Sequence, residues 1–273
     1  MKQRLKAGNL IIGSLHFKPL LGYKGFTSIP DVLNTALKDL RAFEQGGVNS
    51  IIVENNYDIP HKTNVDPETI AIMTYLTKKI IDNTKLPIGI SVLWNDYKAA
   101  LSIAKVCGAK FIRIPVFVDS VKNKYNETIL ANPKDVIEYR KKIKAEDILI
   151  FTDIQVKHAT ILNERPISES VKDAIENKSD AIIITGKWTG DAPPIDQLKQ
   201  ARDSARDFPI LVGSGANEEN ITNILQYANG VIVSTSLKEG STIENEINIK
   251  SVDQRVDNQQ VRNFIQKVKN ERT

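Results

Sequence analysis

The sequence predicts a single (β/α)8 TIM-type barrel over residues 1–273, and three observations carry that reading. Eight short runs rich in Ile, Val and Leu recur along the chain. Polar segments with helical spacing separate them without a break. Polar or small residues follow each run, where the C-terminal mouth of a barrel would lie.

The runs are Leu10–Leu15, Ser50–Val53, Ile88–Leu93, Phe111–Val116, Ile148–Thr152, Ala181–Thr185, Ile210–Val212 and Val231–Val233. Most are nearly continuous in aliphatic residues, the pattern of parallel strands covered on both faces. Between them, Leu33, Leu37, Leu40 and Phe43 share one helical face, and Val261, Phe264, Ile265 and Val268 share another. Asp66-Pro67 and Asn132-Pro133 read as helix starts. Gly46-Gly47, Gly108 and Gly230 read as helix stops. Pro87 and Pro209 sit just ahead of strands, where no ladder donor is needed. An open doubly wound sheet is the alternative, but no early Gly-rich turn follows the first run. Two loops are long, Phe17–Pro30 and Glu239–Gln254, and both are expected at the same mouth as binding loops or lids.

Composition narrows the function classes. The 273 residues are 41% hydrophobic and 26% charged, ordinary for a globular chain. The 37 basic and 33 acidic residues are interspersed, so the net charge of +4 does not ask for nucleic acid. Cys107 is the one cysteine; no internal disulfide can form, and a reducing, cytoplasmic setting is expected. No apolar stretch reaches the roughly 20 residues of a membrane span, which leaves only peripheral membrane association open. The N-terminus makes a poor signal peptide. A homo-oligomer is expected. No cofactor is specified, and the three histidines lack metal-ligand spacing, so no metal site is expected.

In a barrel, the chemistry sits at the C-terminal ends of the strands. Those positions supply five catalytic candidates: His16, Glu54, Asp96, Asp153 and Lys157. Asp96 reads equally as the cap of the following helix. Asp153 has the alternative of an ion pair with Arg113 or Lys157. Lys157 is a Schiff-base candidate, with an electrostatic clamp or a merely solvated side chain as the preferred reading. His16 is a general acid–base or a structural histidine. Asn55, Asn95, Arg113, His158, Thr185 and Gly186 are candidate substrate contacts. His61, in a polar loop, reads as solvated. Trp188 reads as a ring stacked on ligand or as a plug.

The strongest signal is a phosphate site made by the last two βα loops. Gly213-Ser214-Gly215 ends strand seven and is expected to open a helix near Asn217. Ser234-Thr235-Ser236 ends strand eight and is expected to start a short extra helix. Glycines let backbone N–H groups approach an anion, and a helix N-terminus adds favourable potential. On this reading, Gly215→Val weakens phosphorylated ligands while leaving the fold largely intact. The competing reading is two tight turns.

The motifs GSLHFKPLLG, VENNYDIP, SVLWNDYKAALSIAKVCGAKFIRIPVF, DIQVKHA, ITGKWTGDAPP, LVGSGANEENI, GVIVSTSLKEG and VDQRV run in order through the chain. Together they resemble the BtpA family, which includes SgcQ-like proteins of nucleosidase type and proteins linked to photosystem I biogenesis. The resemblance implies a barrel of the ribulose-phosphate-binding group. Trp94 stands where many relatives carry arginine, and FVDSVKNKYNETIL lacks the Gly-rich acidic loop of relatives. The combined expectation is an enzyme acting on a phosphorylated sugar or nucleoside-like compound, of lyase, isomerase or nucleosidase type. The alternative is a non-catalytic biogenesis or assembly factor.

Overall fold

A computed structural model describes residues 1–240 and 251–270. Eight parallel strands close into a barrel: β1 (Leu10–His16), β2 (Ser50–Glu54), β3 (Ile88–Ser91), β4 (Phe111–Ile114), β7 (Leu149–Ile154), β9 (Ala181–Ile184), β10 (Ile210–Val212) and β11 (Gly230–Val233). Closure is made by β1 against β11, with Leu10 opposite Gly230 and Gly13 opposite Val233. Every predicted run overlaps one of these strands, and no end differs by more than two residues.

Helices α2 (Ile29–Gly46), α3 (Pro67–Asp82), α4 (Tyr97–Cys107), α5 (Pro133–Lys142), α6 (Ile167–Glu176), α7 (Ile195–Ala205), α8 (Ile221–Leu225) and α9 (Asn258–Asn270) follow the barrel strands in turn. Gly47 and Gly108 end α2 and α4 in the left-handed conformation, as expected of helix stops. Gly230 does not. It is the first residue of β11, and a Cβ there would lie 2.1 Å from the Leu10 carbonyl oxygen, so close strand approach explains the glycine. Val261, Phe264, Ile265 and Val268 are all buried on α9.

Two features have no counterpart in the sequence reading. A first helix, α1 (Lys2–Ala7), brings Leu5 into the barrel's interior cluster with Leu10, Ile12 and Ile232. Three short antiparallel strands, β5 (Val121–Asn123), β6 (Thr128–Ile129) and β8 (Ala159–Ile161), form a separate small sheet in the order β6-β5-β8. It joins the fourth and fifth βα loops, and Val121, Ile129, Val156 and Trp94 form their own apolar cluster beneath it. Two- and three-residue strands carry too little periodicity to be read from sequence.

Strand alternation then decides what reaches the mouth. Ile12, Ile52, Phe111, Phe151, Ile183, Leu211 and Ile232 fill the barrel interior. Two residues further along the same strands, on the same face, stand Ser14, Glu54, Arg113, Asp153, Thr185, Gly213 and Ser234. The interior thus changes from aliphatic to polar in one layer.

The first loop is less of a lid than its length suggests. Phe17 and Leu20 are buried, and the Leu20 N–H donates to Asp58 Oδ1 at 2.8 Å. Of the second long segment, 241–250 fall outside the described residues. No helix among the described residues is long and apolar enough to cross a membrane.

Candidate functional site

One cavity opens at the C-terminal mouth. Its lining includes His16, Glu54, Arg113, Lys157, His158, Gly213, Ser214, Gly215 and Ser234 through Ser236. Thus most of the predicted site residues meet in one place, although they come from six different strands.

At its floor, Arg113 donates from Nε and Nη2 to the two carboxylate oxygens of Asp153, at 2.8 and 2.7 Å. Its Nη1 lies 3.4 Å from Glu54 Oε1. Arg113 and Asp153 are almost wholly buried. Burial alone would favour a neutral guanidine, but Asp153 and then Glu54 outweigh it and hold the pKa of Arg113 above its usual value. Gly213 makes room for this group: a Cβ there would stand 2.6 Å from Ile183 and 3.4 Å from Arg113 Nη2.

His16 Nε2 is 3.1 Å from Ser14 Oγ and 3.6 Å from Glu54 Oε2. Its Nδ1 is 3.3 Å from the Nζ of Lys238, a buried residue on the segment after β11. An ammonium can only donate, so Nδ1 accepts and the ring proton sits on Nε2, facing Glu54. Burial, then the charges of Lys238, Arg255, Lys157 and Arg113, lower the His16 pKa well below the ordinary value, so the ring is neutral. Lys238 also donates to Tyr57 Oη at 3.1 Å, and burial pushes that phenol up to about 12. Lys157 is fixed at its backbone by an N–H bond to Thr185 Oγ1 at 3.1 Å. Burial, then Arg113, lower its pKa to about 8 against the partly opposing pull of Glu54 and Asp153.

Three predicted residues lie behind the cavity wall. Asp96 caps α4 through the Ala99 N–H at 2.9 Å and accepts the Val65 N–H at 3.0 Å with its other oxygen. Asn55 bonds both backbone groups of Leu93, and Asn95 both those of Val116. Each asparagine thereby extends strand pairing by one rung at the mouth. Thr185 and Gly186 are also occupied within the fold, Gly186 N–H donating to Ser214 Oγ at 2.9 Å.

Two βα loops complete the cavity, and they differ from the sequence expectation. No helix begins at Asn217. The Asn217 side chain accepts the N–H groups of Glu219 and Asn220, both at 3.0 Å, and this turn delays α8 to a five-residue helix from Ile221. After β11 there is a 3-10 turn, Thr235–Leu237. Neither loop therefore points the N-terminus of an extended helix at the cavity. Among the described residues, the N–H groups of Gly215, Ala216, Thr235 and Ser236 have no protein acceptor, and the buried Ser234 Oγ has no partner. Ser236 Oγ donates to the Ala216 carbonyl at 2.7 Å and ties the two loops together. The tolerance expected of Gly215→Val is overturned. Gly215 has φ +68°, and a Cβ would meet the Ala192 backbone nitrogen at 2.1 Å. That glycine is required by packing against the loop after β9.

The opposite wall holds His61 and Trp94, which the sequence reading did not place in the site, beside the expected His158. His61 is buried, its Nε2 at 3.1 Å from the Asn56 carbonyl and its Nδ1 at 3.3 Å from Tyr125 Oη. Burial lowers its pKa to about 4. Its burial comes from the small antiparallel sheet, in whose β5–β6 turn Tyr125 sits, so no local signal revealed it. Trp94 is buried beside it. His158, at φ +60°, bonds Thr189 Oγ1 at 2.9 Å and lies 5.4 Å from the half-exposed Trp188 ring; burial lowers its pKa to about 3. Ser14 was legible by alternation, two residues before His16. Arg255, in the VDQRV motif, forms an ion pair with the buried Asp39 of α2 and bonds the His16 carbonyl, securing the C-terminal segment against the site.

The fold and this cavity define a (β/α)8-barrel protein with a polar site at the strand C-termini. Solved structures agree in fold. The geranylgeranylglyceryl phosphate synthase of Thermoplasma acidophilum, solved with sn-glycerol-1-phosphate, aligns with a TM-score of 0.63 at 13% identity, covering 98% of this chain and 96% of that one. Phosphoribosylanthranilate isomerase from Pyrococcus furiosus gives 0.58 at 15% identity, covering 96% and 99%. More specifically, the chain belongs to the BtpA family, whose profile matches residues 7–270. It is similar to the photosystem I biogenesis protein BtpA of Synechocystis, 36% identical over 90% of this chain and 86% of that protein. It is also similar to an uncharacterized protein of Archaeoglobus fulgidus, 37% identical over 86% and 94%.

Proposed function

We propose that the protein is an enzyme acting on a phosphorylated sugar or nucleoside-like small molecule, with the phosphate held by the loops after β10 and β11. The observation that carries this is the coincidence of unsatisfied donors with titratable groups. Four loop N–H groups and the Ser234 hydroxyl lack acceptors at one end of a cavity that also holds His16, Glu54 and Lys157. A buried hydroxyl without a partner, as at Ser234, is costly, and an oxyanion would satisfy it together with the loop N–H groups. The names of the structural neighbours, which include phosphate-bearing compounds, are consistent with such a ligand.

In this reading, Glu54 accepts a proton from substrate and the neutral His16 donates one from Nε2. Lys157 lines the same cavity, its Nζ 3.4 Å from the Gly213 carbonyl. The Arg113–Asp153 pair is a positioning unit that holds Glu54 toward the cavity. Asp96, Asn55 and Asn95 shape the mouth without touching substrate. A purely non-catalytic assembly role, which the name of the Synechocystis relative brings to mind, is the weaker account, since it gives the converging acid–base groups no task.

Titration calorimetry with inorganic phosphate and ribose 5-phosphate tests the proposal. Binding is expected, and Ser234→Ala should weaken it roughly tenfold, the worth of one hydrogen bond to a charged group. Absence of binding, or equal affinity in wild type and variant, would overturn the anion reading.

A further inference from the structure

Lys157 stands apart from the other cations in and around the cavity. Arg113 is locked into a bidentate pair with Asp153. Lys124 lies exposed at the rim, 5.1 Å over the Tyr125 ring. Lys238 is buried and donates to His16 and Tyr57. Among the described residues, Lys157 forms no ion pair with a carboxylate, and its one hydrogen-bond contact from Nζ is with the Gly213 carbonyl, at 3.4 Å. Gly213 is two residues from the Gly215 N–H, so Nζ and the anion cradle are within roughly 10 Å of each other. That is the reach of a small phosphorylated molecule whose reactive carbon is a few bonds from its phosphorus.

We infer that Lys157 is a nucleophile that forms an imine with the carbonyl carbon of a phosphorylated aldehyde or ketone anchored at the loops after β10 and β11. The inference rests on the anion-cradle reading and deepens it, by naming the substrate class and the bond made.

The step balances without any redox partner. The Nζ lone pair attacks the carbonyl carbon, and the carbonyl π pair moves to oxygen, which takes up a proton. Nitrogen loses a proton to give a neutral carbinolamine. A second proton on the hydroxyl lets water leave as the C=N bond forms, and the protonated imine nitrogen then gives that proton back. Amine plus carbonyl gives imine plus water. Glu54 and the His16 Nε2–H, 3.6 Å apart and lining the same cavity, are the acceptor and donor for these transfers.

Electrostatics supports the geometry. The groups acting on Nζ are Arg113 from β4, which disfavours the ammonium, and Glu54 from β2 and Asp153 from β7, which favour it; desolvation is larger than any of them. With a pKa of about 8, roughly a quarter of the amine is neutral at pH 7.5, against about a thousandth for a solvated lysine. An amine with this neutral fraction, and with no carboxylate partner among the described residues, is poised beside the loops after β10 and β11 for addition to a carbonyl.

The test is reductive trapping. The protein is treated at pH 7.5 with glycolaldehyde phosphate or dihydroxyacetone phosphate and sodium borohydride, then read by intact mass and peptide mapping. One adduct is expected, on the peptide containing Lys157, forming roughly a hundredfold faster than on solvated lysines. Saturating inorganic phosphate should suppress it. Lys157→Arg should lose the adduct while retaining phosphate binding by calorimetry and a wild-type thermal transition. Adducts spread over surface lysines, or an undiminished adduct in Lys157→Arg, would overturn the inference. If phosphate binds but no adduct forms, the imine falls and the cradle stands. If unphosphorylated glycolaldehyde traps Lys157 but no phosphate binds, the cradle falls and the phosphorylated substrate class falls with it.

Discussion

Replacing Asp153 with alanine would expose what the floor of the cavity contributes to stability. Asp153 takes two charge-assisted hydrogen bonds from Arg113, at 2.8 and 2.7 Å, and its side chain is 0% exposed. Truncation leaves a buried guanidinium whose remaining contact is Glu54 at 3.4 Å. A buried charge stripped of its partner costs about 3–5 kcal/mol, because the desolvation penalty stays while the attraction goes. For a chain of this size, that corresponds to a fall in melting temperature of roughly 10 °C. Asp153→Asn keeps an acceptor and should lose about half as much. Urea unfolding monitored by circular dichroism measures both. A double-mutant cycle with Arg113→Met should give a coupling of about 2 kcal/mol or more. A loss below about 1 kcal/mol for Asp153→Ala would refute the reasoning, since it would rank the pair with exposed ion pairs.

Other perturbations give equally definite outcomes. Burial raises the Asp58 pKa to about 6 from 3.8, so the folded state binds more protons than the unfolded state between those values and stability falls as pH rises through that window. Asp58→Asn, which keeps the oxygen that accepts from Leu20, should therefore gain up to about 3 kcal/mol at pH 7.5 and little at pH 3; equal pH profiles for the two proteins would count against it. Gly215→Ala should destabilise by about 1–3 kcal/mol through its positive φ and the contact with Ala192, and a neutral result in thermal unfolding would contradict that account. In nitrogen-15 NMR, His16 should stay neutral as the pH falls through the range where an ordinary histidine takes up its proton. Lys238→Met should move its pKa upward part of the way, leaving the share due to burial; no movement would remove Lys238 from the electrostatics of the site.

The strands were legible because a buried parallel strand must be aliphatic over its whole length, and that requirement is written locally. The helix faces on α2 and α9 followed from the 3.6-residue period. Positions after the strands gave His16, Glu54, Arg113, Lys157 and His158, and the cavity brings these together. Glycine was read less well. Gly213, Gly215 and Gly230 all looked like turn or anion-loop residues, yet each is small because another part of the chain comes within 2.6 Å of where its Cβ would be. His61 was read as solvated because the Tyr125 that covers it lies in the turn between two strands of three and two residues.

The sequence by itself thus determined the barrel, its strand positions and the set of polar residues facing its mouth, since these depend on periods of two and 3.6 residues that neighbours along the chain express. Tertiary structure decided the pairings. His16 meets Lys238 across 222 residues, Asp39 meets Arg255 across 216, and Arg113 meets Asp153 across 40. Protonation state follows from those distances and from the water each group has lost. Both are sums over three-dimensional neighbours, which is why a neutral His16 and a weakly basic Lys157 emerge only once the barrel has closed.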